Sequence, residues 1–149
     1  MSETKPSRRM TGIGRVLVIV YAVMALAATG RSFVQIVERF EQAPLAFSLS
    51  AASAVVYILA TLALIFSRSE AWYRVAWVAI AFELVGVLVV GTVSFIVPEL
   101  FPEATVWSHF GNGYLFIPLV LPFLGLWWLI THRAAPPAVA TEAPAEAVR

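Results

Sequence analysis

The sequence predicts an all-α polytopic membrane protein, a bundle of four transmembrane helices with both termini in the cytoplasm. Hydrophobic residues make up 60% of the 149 residues and charged residues only 13%, whereas soluble domains average about 45–50% and about 25%. Four apolar runs approach or exceed the roughly 18 residues expected of a membrane span. Lys and Arg are also concentrated on the side of the membrane that both chain ends would occupy.

The four apolar runs define the predicted organisation of the chain. The bundle covers residues 14–133, with spans at about 14–33, 48–66, 75–97 and 113–131. Each run should be helical, because hydrocarbon offers no water to unpaired backbone groups and because barrel strands would alternate in polarity. Residues 1–13 form a flexible basic tail. Residues 134–149 are rich in Ala, Pro and Glu and are predicted to be disordered, since they carry too few large apolar residues to offset ordering entropy.

The basic residues predict the orientation. The opposite side of the membrane would carry only Arg31 and Arg39, and the long third connection carries no Lys or Arg. The positive-inside rule therefore places both termini in the cytoplasm. The residues on that side are Lys5, Arg8, Arg9, Arg15, Arg68, Arg74 and Arg133.

A secretory signal peptide is the alternative for the first span. The basic residues near the amino terminus, the following apolar stretch and the small residues at positions 25–27 fit such a segment. Cleavage there would leave three spans and an outside amino terminus. The apolar pattern continues past the candidate cleavage site, which favours an uncleaved first span.

The first outer connection has helical periodicity. Phe33, Ile36, Val37 and Phe40 follow i, i+3, i+4, i+7 spacing among polar residues. We expect the first helix to continue along the membrane surface and to stop at Pro44. Such an extension either caps its own bundle or presents a partner-facing surface.

The second outer connection, residues 98–114, is longer and acidic. Glu99, Glu103 and His109 are possible ligands of a divalent cation, but their number and spacing match no closed zinc or calcium site. A solvated loop with a helical turn is the simpler interpretation. We expect its aromatic side chains, Trp107 and Phe110 among them, to lie in the membrane interface.

One acid, Glu83, lies inside the third span. It is eight residues after Val75, so it lies about 12 Å from the inner boundary, close to mid-bilayer. We expect it to face the bundle and either to pair with a polar group or to stay protonated. Tyr57 on the second span is the preferred hydrogen-bond partner and Tyr21 on the first span the next. These three residues form a candidate intramembrane polar site, with either a structural or a proton-coupled role.

The composition excludes several kinds of chemistry. The chain has no Cys, so it has no thiolate ligand or nucleophile, and its net charge of +1 does not favour nucleic acid as a partner. No catalytic set, cofactor-binding motif or metal site is predicted. The two histidines, His109 and His132, should lie on opposite sides of the membrane.

The pattern from "ALAATGRSFVQ" through "WVAIAFELVGVLVVGTVSF" to "FIPLVLPFLGL" resembles short, uncharacterised four-helix integral membrane proteins of high-GC Gram-positive bacteria. This resemblance spans roughly residues 14–131 and implies a multi-pass protein of the plasma membrane. We expect a non-catalytic accessory or scaffold component, associating with a membrane-protein partner or with itself through small-residue faces. A small oligomeric transporter or channel that uses Glu83 is the alternative. The small residues that suggest association are Ser50, Ala51, Ala54, Gly86 and Gly91.

Overall fold

The computed structural model describes residues 12–133, and every regular element in that range is helical. Three 3₁₀ segments lie in the connections, at Phe40–Gln42, Pro98–Leu100 and Ser108–Tyr114. Both predicted tails lie outside the described residues, except that Gly12 and Ile13 belong to the first helix. The four α-helices are α1 at Gly12–Arg39, α2 at Pro44–Ile65, α3 at Glu70–Ile96 and α4 at Ile117–Thr131.

The helices form a ring of neighbours. Helix α1 packs on α2, α2 on α3, α3 on α4, and α4 returns to α1. This order follows from short connections between the first three helices, which make consecutive helices antiparallel neighbours. The inner faces combine aromatic residues with many alanines, and the small side chains let the backbones approach closely.

Three helices are each long and apolar enough to cross a membrane. The described chain therefore has the character of a multi-pass membrane protein. The count rises to four when the bent pair formed by Ser108–Tyr114 and Ile117–Thr131 is taken as one span. Helix α4 alone has 15 residues, a length of about 22 Å, which is shorter than the hydrocarbon core of about 30 Å.

The predicted fourth span differs from the structure at its start. The prediction began at residue 113, but α4 begins at Ile117 and the preceding segment meets it at 99°. Leu115 and Phe116 cause the turn, because both have positive φ, 55° and 59°, which no right-handed helix accommodates. The chain then enters α4 with Pro118 in the first turn, where no backbone donor is needed.

The first connection also differs in detail from the prediction. Helix α1 does continue beyond residue 33, but it ends at Arg39 and a 3₁₀ turn follows. Pro44 does not stop this helix; it opens α2, whose first turn accepts proline without loss of a hydrogen bond. The candidate signal-peptide cleavage site, at residues 25–27, lies inside α1.

Candidate functional site

Glu83 lies at the middle of α3 and is fully buried, with 0% of its side chain exposed. Its neighbours on the inner face are Ala76, Ile80, Val87 and Val90, at spacings of three, four and seven residues. That periodicity places the carboxyl group on the stripe that faces the other helices. The structure thus places Glu83 inside the bundle.

Tyr21 on α1 is the hydrogen-bond donor to this acid. Its hydroxyl donates to Glu83 Oε2 at 2.7 Å, and both side chains are fully buried. Helix α4 makes room for the hydroxyl at Gly125, where a Cβ atom would lie 3.2 Å from the Tyr21 oxygen and 3.0 Å from Ile80 Cδ1. The bond therefore joins α1 to α3, two helices on opposite corners of the ring, at a point that α4 closes.

Tyr57, the preferred partner in the sequence analysis, lies next to this pair, and the 2.7 Å hydrogen bond to Glu83 comes from Tyr21. Tyr57 is buried beside the site, with its ring centroid 6.2 Å from that of Tyr21. Its hydroxyl accepts a hydrogen bond from Trp107 Nε1 at 3.2 Å, which leaves the hydroxyl proton available to Glu83. Depth along the helices, from which the partner was predicted, places both tyrosines near the acid. Only the rotation of each helix about its own axis decides which hydroxyl meets the carboxyl group.

Trp107 is the member of the site that the sequence did not predict. It was expected in the membrane interface, yet it is 2% exposed and reaches into the bundle. Its indole ring lies on Gly86, where an added Cβ atom would come within 2.7 Å of the ring. Phe82 meets the same ring edge to face, with centroids 6.4 Å apart. The signal in the sequence was Gly86 itself, because a glycine within a span marks a close approach.

A hydrogen-bonded turn holds Trp107 in this position. Thr105 N donates to Ser108 Oγ at 2.9 Å, and Ser108 N donates to Thr105 Oγ1 at 2.9 Å. The Trp107 amide also donates to Thr105 Oγ1, at 3.1 Å. From α1, Arg31 Nη2 donates to the carbonyl oxygen of Ala104 at 2.6 Å. These bonds satisfy the backbone of a loop that lies against the bundle.

The chain after this turn is attached to α3. His109 N donates to Ser94 Oγ at 2.8 Å, and Phe110 packs on Gly91 so closely that a Cβ there would overlap its ring. His109 and Phe110 both have left-handed backbones, with φ of 52° and 58°. This conformation costs an L-residue roughly 1–2 kcal/mol. It persists because contacts with α3 determine the path of the loop.

The small residues predicted to bind other proteins are largely covered by the chain itself. Ser50, Ala54 and Gly91 are buried within the bundle, and Gly86 lies beneath the Trp107 ring. Small residues permit close approach of any neighbour, and here the neighbours are other segments of the same chain.

The electrostatics of the site are those of an enclosed acid among neutral groups. The Tyr21 hydroxyl donates to Glu83 Oε2, whereas Glu83 Oε1 accepts no hydrogen bond of standard geometry from residues 12–133 and has the Tyr57 hydroxyl as its polar neighbour. An unpaired buried carboxylate is costly, whereas a hydrogen-bonded neutral acid is not. The described residues contain no group of three acids, histidines or cysteines able to hold a metal ion. The arrangement can therefore link helices or bind a proton, but it contains no nucleophile paired with a general base.

A comparison with known proteins gives no match, whether to a protein-family model, to a curated protein or to a solved structure.

Proposed function

We propose that this protein is a non-catalytic accessory or scaffold component of the plasma membrane. The observation that carries the proposal is the use of the polar groups at the centre of the bundle. Tyr21, Tyr57, Glu83 and Trp107 come from α1, α2, α3 and the α3–α4 connection, and their hydrogen bonds are made to one another. Such a centre stabilises one arrangement of helices, as a scaffold requires.

The same proposal includes four membrane spans with both termini in the cytoplasm. The distribution of Lys and Arg supports this orientation. The bent pair ending in α4 supplies the fourth span. The resemblance to short four-helix proteins of high-GC Gram-positive bacteria favours the plasma membrane as the location.

Purification in a mild detergent with identification of bound proteins tests the scaffold role. We expect a foreign membrane protein at a fixed stoichiometry with this chain. A variant that disrupts the centre, such as Tyr21→Phe combined with Tyr57→Phe, should weaken retention because the bundle loses its defined arrangement. Recovery of the chain alone from native membranes, under conditions that keep other complexes intact, would contradict the scaffold role.

A small oligomeric transporter or channel is the second candidate. One observation favours it: Glu83 Oε1 is buried without a hydrogen bond of standard geometry, and an acid within a membrane span is a common element of proton pathways. In this alternative Glu83 takes up and releases the transported proton. Reconstitution into liposomes with an internal pH dye tests it directly, since flux should appear with the natural chain and disappear with Glu83→Gln. Equal flux from both proteins would exclude this role for Glu83.

A further inference from the structure

A groove of about 400 Å³ runs along the outside of the bundle between α2 and α3. This volume lies within the range of about 300–1,000 Å³ that is typical of small-molecule sites. The lining surface is almost entirely apolar, and Arg74 is the one charged residue beside it. The others include Val56 and Leu59 from α2 and Val78, Ala79 and Phe82 from α3.

The depth of the groove comes from its small residues. Val56 and Ala79 are buried and form the floor, whereas Leu59, Val78 and Phe82 are exposed and form the walls. A larger side chain at Ala79 would fill the space between the two helices. An open apolar groove on the surface of a membrane-spanning bundle is in contact with lipid chains, because hydrocarbon surrounds it.

The length of the groove corresponds to one leaflet of the bilayer. Arg74 and Phe82 are eight residues apart on α3, which is about 12 Å along the helix axis. Half of a hydrocarbon core of about 30 Å is about 15 Å. Phe82 adjoins Glu83 at the middle of α3, and Arg74 lies one turn from the start of that helix. The groove therefore extends from a helix end to mid-bilayer.

The charged end of the groove is suited to a phosphate group. Arg74 Nε pairs with Glu70 Oε1 at 3.0 Å, but the two side chains are 76% and 63% exposed. An exposed ion pair of this kind contributes little to stability, so Arg74 can leave Glu70 for another anionic partner at little cost. The terminal nitrogens of Arg74 make no hydrogen bond to residues 12–133. A guanidinium group with free terminal nitrogens is the preferred donor to phosphate oxygens.

We propose that this groove binds an anionic phospholipid, with one acyl chain between α2 and α3 and the phosphate on Arg74. A second groove provides an internal comparison. It lies between α1 and α2, has a volume of about 300 Å³ and contains no basic residue. Its lining includes Ala22, Leu26, Ile58 and Thr61. An acyl chain can enter it, but no charged group on its lining selects an anionic headgroup.

Native mass spectrometry of the full chain in detergent tests the proposal. Phosphatidylglycerol and phosphatidylcholine with identical acyl chains are titrated separately, and the first bound lipid is quantified. We expect phosphatidylglycerol to bind at least about fivefold more tightly. Arg74→Gln should remove that preference, since one basic residue at the membrane surface contributes about 1 kcal/mol, which is about fivefold in affinity. Arg39→Gln, another exposed arginine at the opposite end of the bundle, is the charge control and should keep the preference.

A second pair of variants tests the acyl-chain position. Val78→Phe places a ring in the α2–α3 groove and should lower the affinity for both lipids, whereas Leu26→Phe, in the other groove, should not change the preference for phosphatidylglycerol. Val78 and Leu26 are both exposed, and thermal unfolding verifies that the variants fold. Equal affinity for the two lipids with no effect of Arg74→Gln would show ordinary annular lipid only and overturn the proposal. A dimer that Val78→Phe abolishes would assign the groove to a second copy of the chain and overturn it as well.

Discussion

Removal of the Tyr21 hydroxyl should destabilise the bundle in a way that depends on Glu83. In Tyr21→Phe the ring is kept, but Glu83 loses the 2.7 Å hydrogen bond from the Tyr21 hydroxyl. Leaving a buried polar group unpaired costs about 1–3 kcal/mol in soluble proteins. Hydrogen bonds between membrane helices average about 0.6 kcal/mol, with a maximum of about 1.7. Since both side chains are fully buried, we expect a loss of about 1.5 kcal/mol.

A double-mutant cycle separates this bond from general packing effects. In a Glu83→Leu background the Tyr21 hydroxyl has no acceptor, so Tyr21→Phe should become neutral or stabilising. Tyr57→Phe is the matched control, because it also costs stability by leaving Trp107 Nε1 without its acceptor. Its cost should be similar in both backgrounds.

Reversible unfolding in mixed micelles with increasing SDS, followed by circular dichroism, measures these free energies. The expected coupling between Tyr21 and Glu83 is about 1 kcal/mol or more, and that between Tyr57 and Glu83 is smaller. If Tyr21→Phe costs the same with and without Glu83, the bond at the centre does not stabilise the bundle. If the larger coupling belongs to Tyr57, the Tyr21 hydroxyl is not the main partner of Glu83.

Three further predictions concern the loop and the topology. Gly86→Ala should cost about 1–3 kcal/mol relative to Gly30→Ala and alter tryptophan fluorescence, because only at position 86 would a Cβ meet the indole. Ser94→Ala should cost about 1 kcal/mol and speed amide exchange in the α3–α4 connection, since it removes the acceptor of a loop N–H. The chain lacks cysteine, so a single introduced cysteine can be labelled specifically. Ser69→Cys and Gln42→Cys should react with an impermeant maleimide from opposite sides of the membrane, because α2 crosses the membrane between them.

Each of these three predictions has a result that would contradict it. Unchanged fluorescence in the Gly86 variant would mean that the indole lies elsewhere. Normal exchange after loss of the serine hydroxyl would mean that this bond does not hold the loop. Labelling of both cysteines from the same side would contradict an α2 that crosses the membrane.

The position of the buried acid shows which features of the site can be predicted from sequence separation. The rise of a helix is constant, so the depth of Glu83, and of the tyrosines on the neighbouring helices, follows from sequence separation alone. The apolar surroundings of the acid also predict that it faces the bundle. The order of the two tyrosines did not follow from depth: Tyr57 was preferred, and Tyr21 makes the 2.7 Å bond. That order depends on helix rotation and packing, and nearly uniform apolar faces carry little information about either.

The α3–α4 connection shows the opposite case. Its prolines, glycines and acids predicted a loop at the surface, and its 3₁₀ segments agree with an irregular path. The burial of Trp107 on Gly86 depends on a contact between residues 21 positions apart, and the chain after it contains four left-handed non-glycine residues. Such backbone conformations have no local sequence signature, since tertiary contacts offset their cost.

The sequence by itself determined that the described chain consists of long apolar helices with one acid at mid-helix, because hydrocarbon permits little else for such runs. Tertiary structure decided that Tyr21 bonds Glu83, that Trp107 completes the centre and that the last helix starts after a sharp bend at Leu115 and Phe116. The reason is physical: helix formation is a local property of the chain, whereas rotation, tilt and loop path are set by the packing of residues distant in sequence.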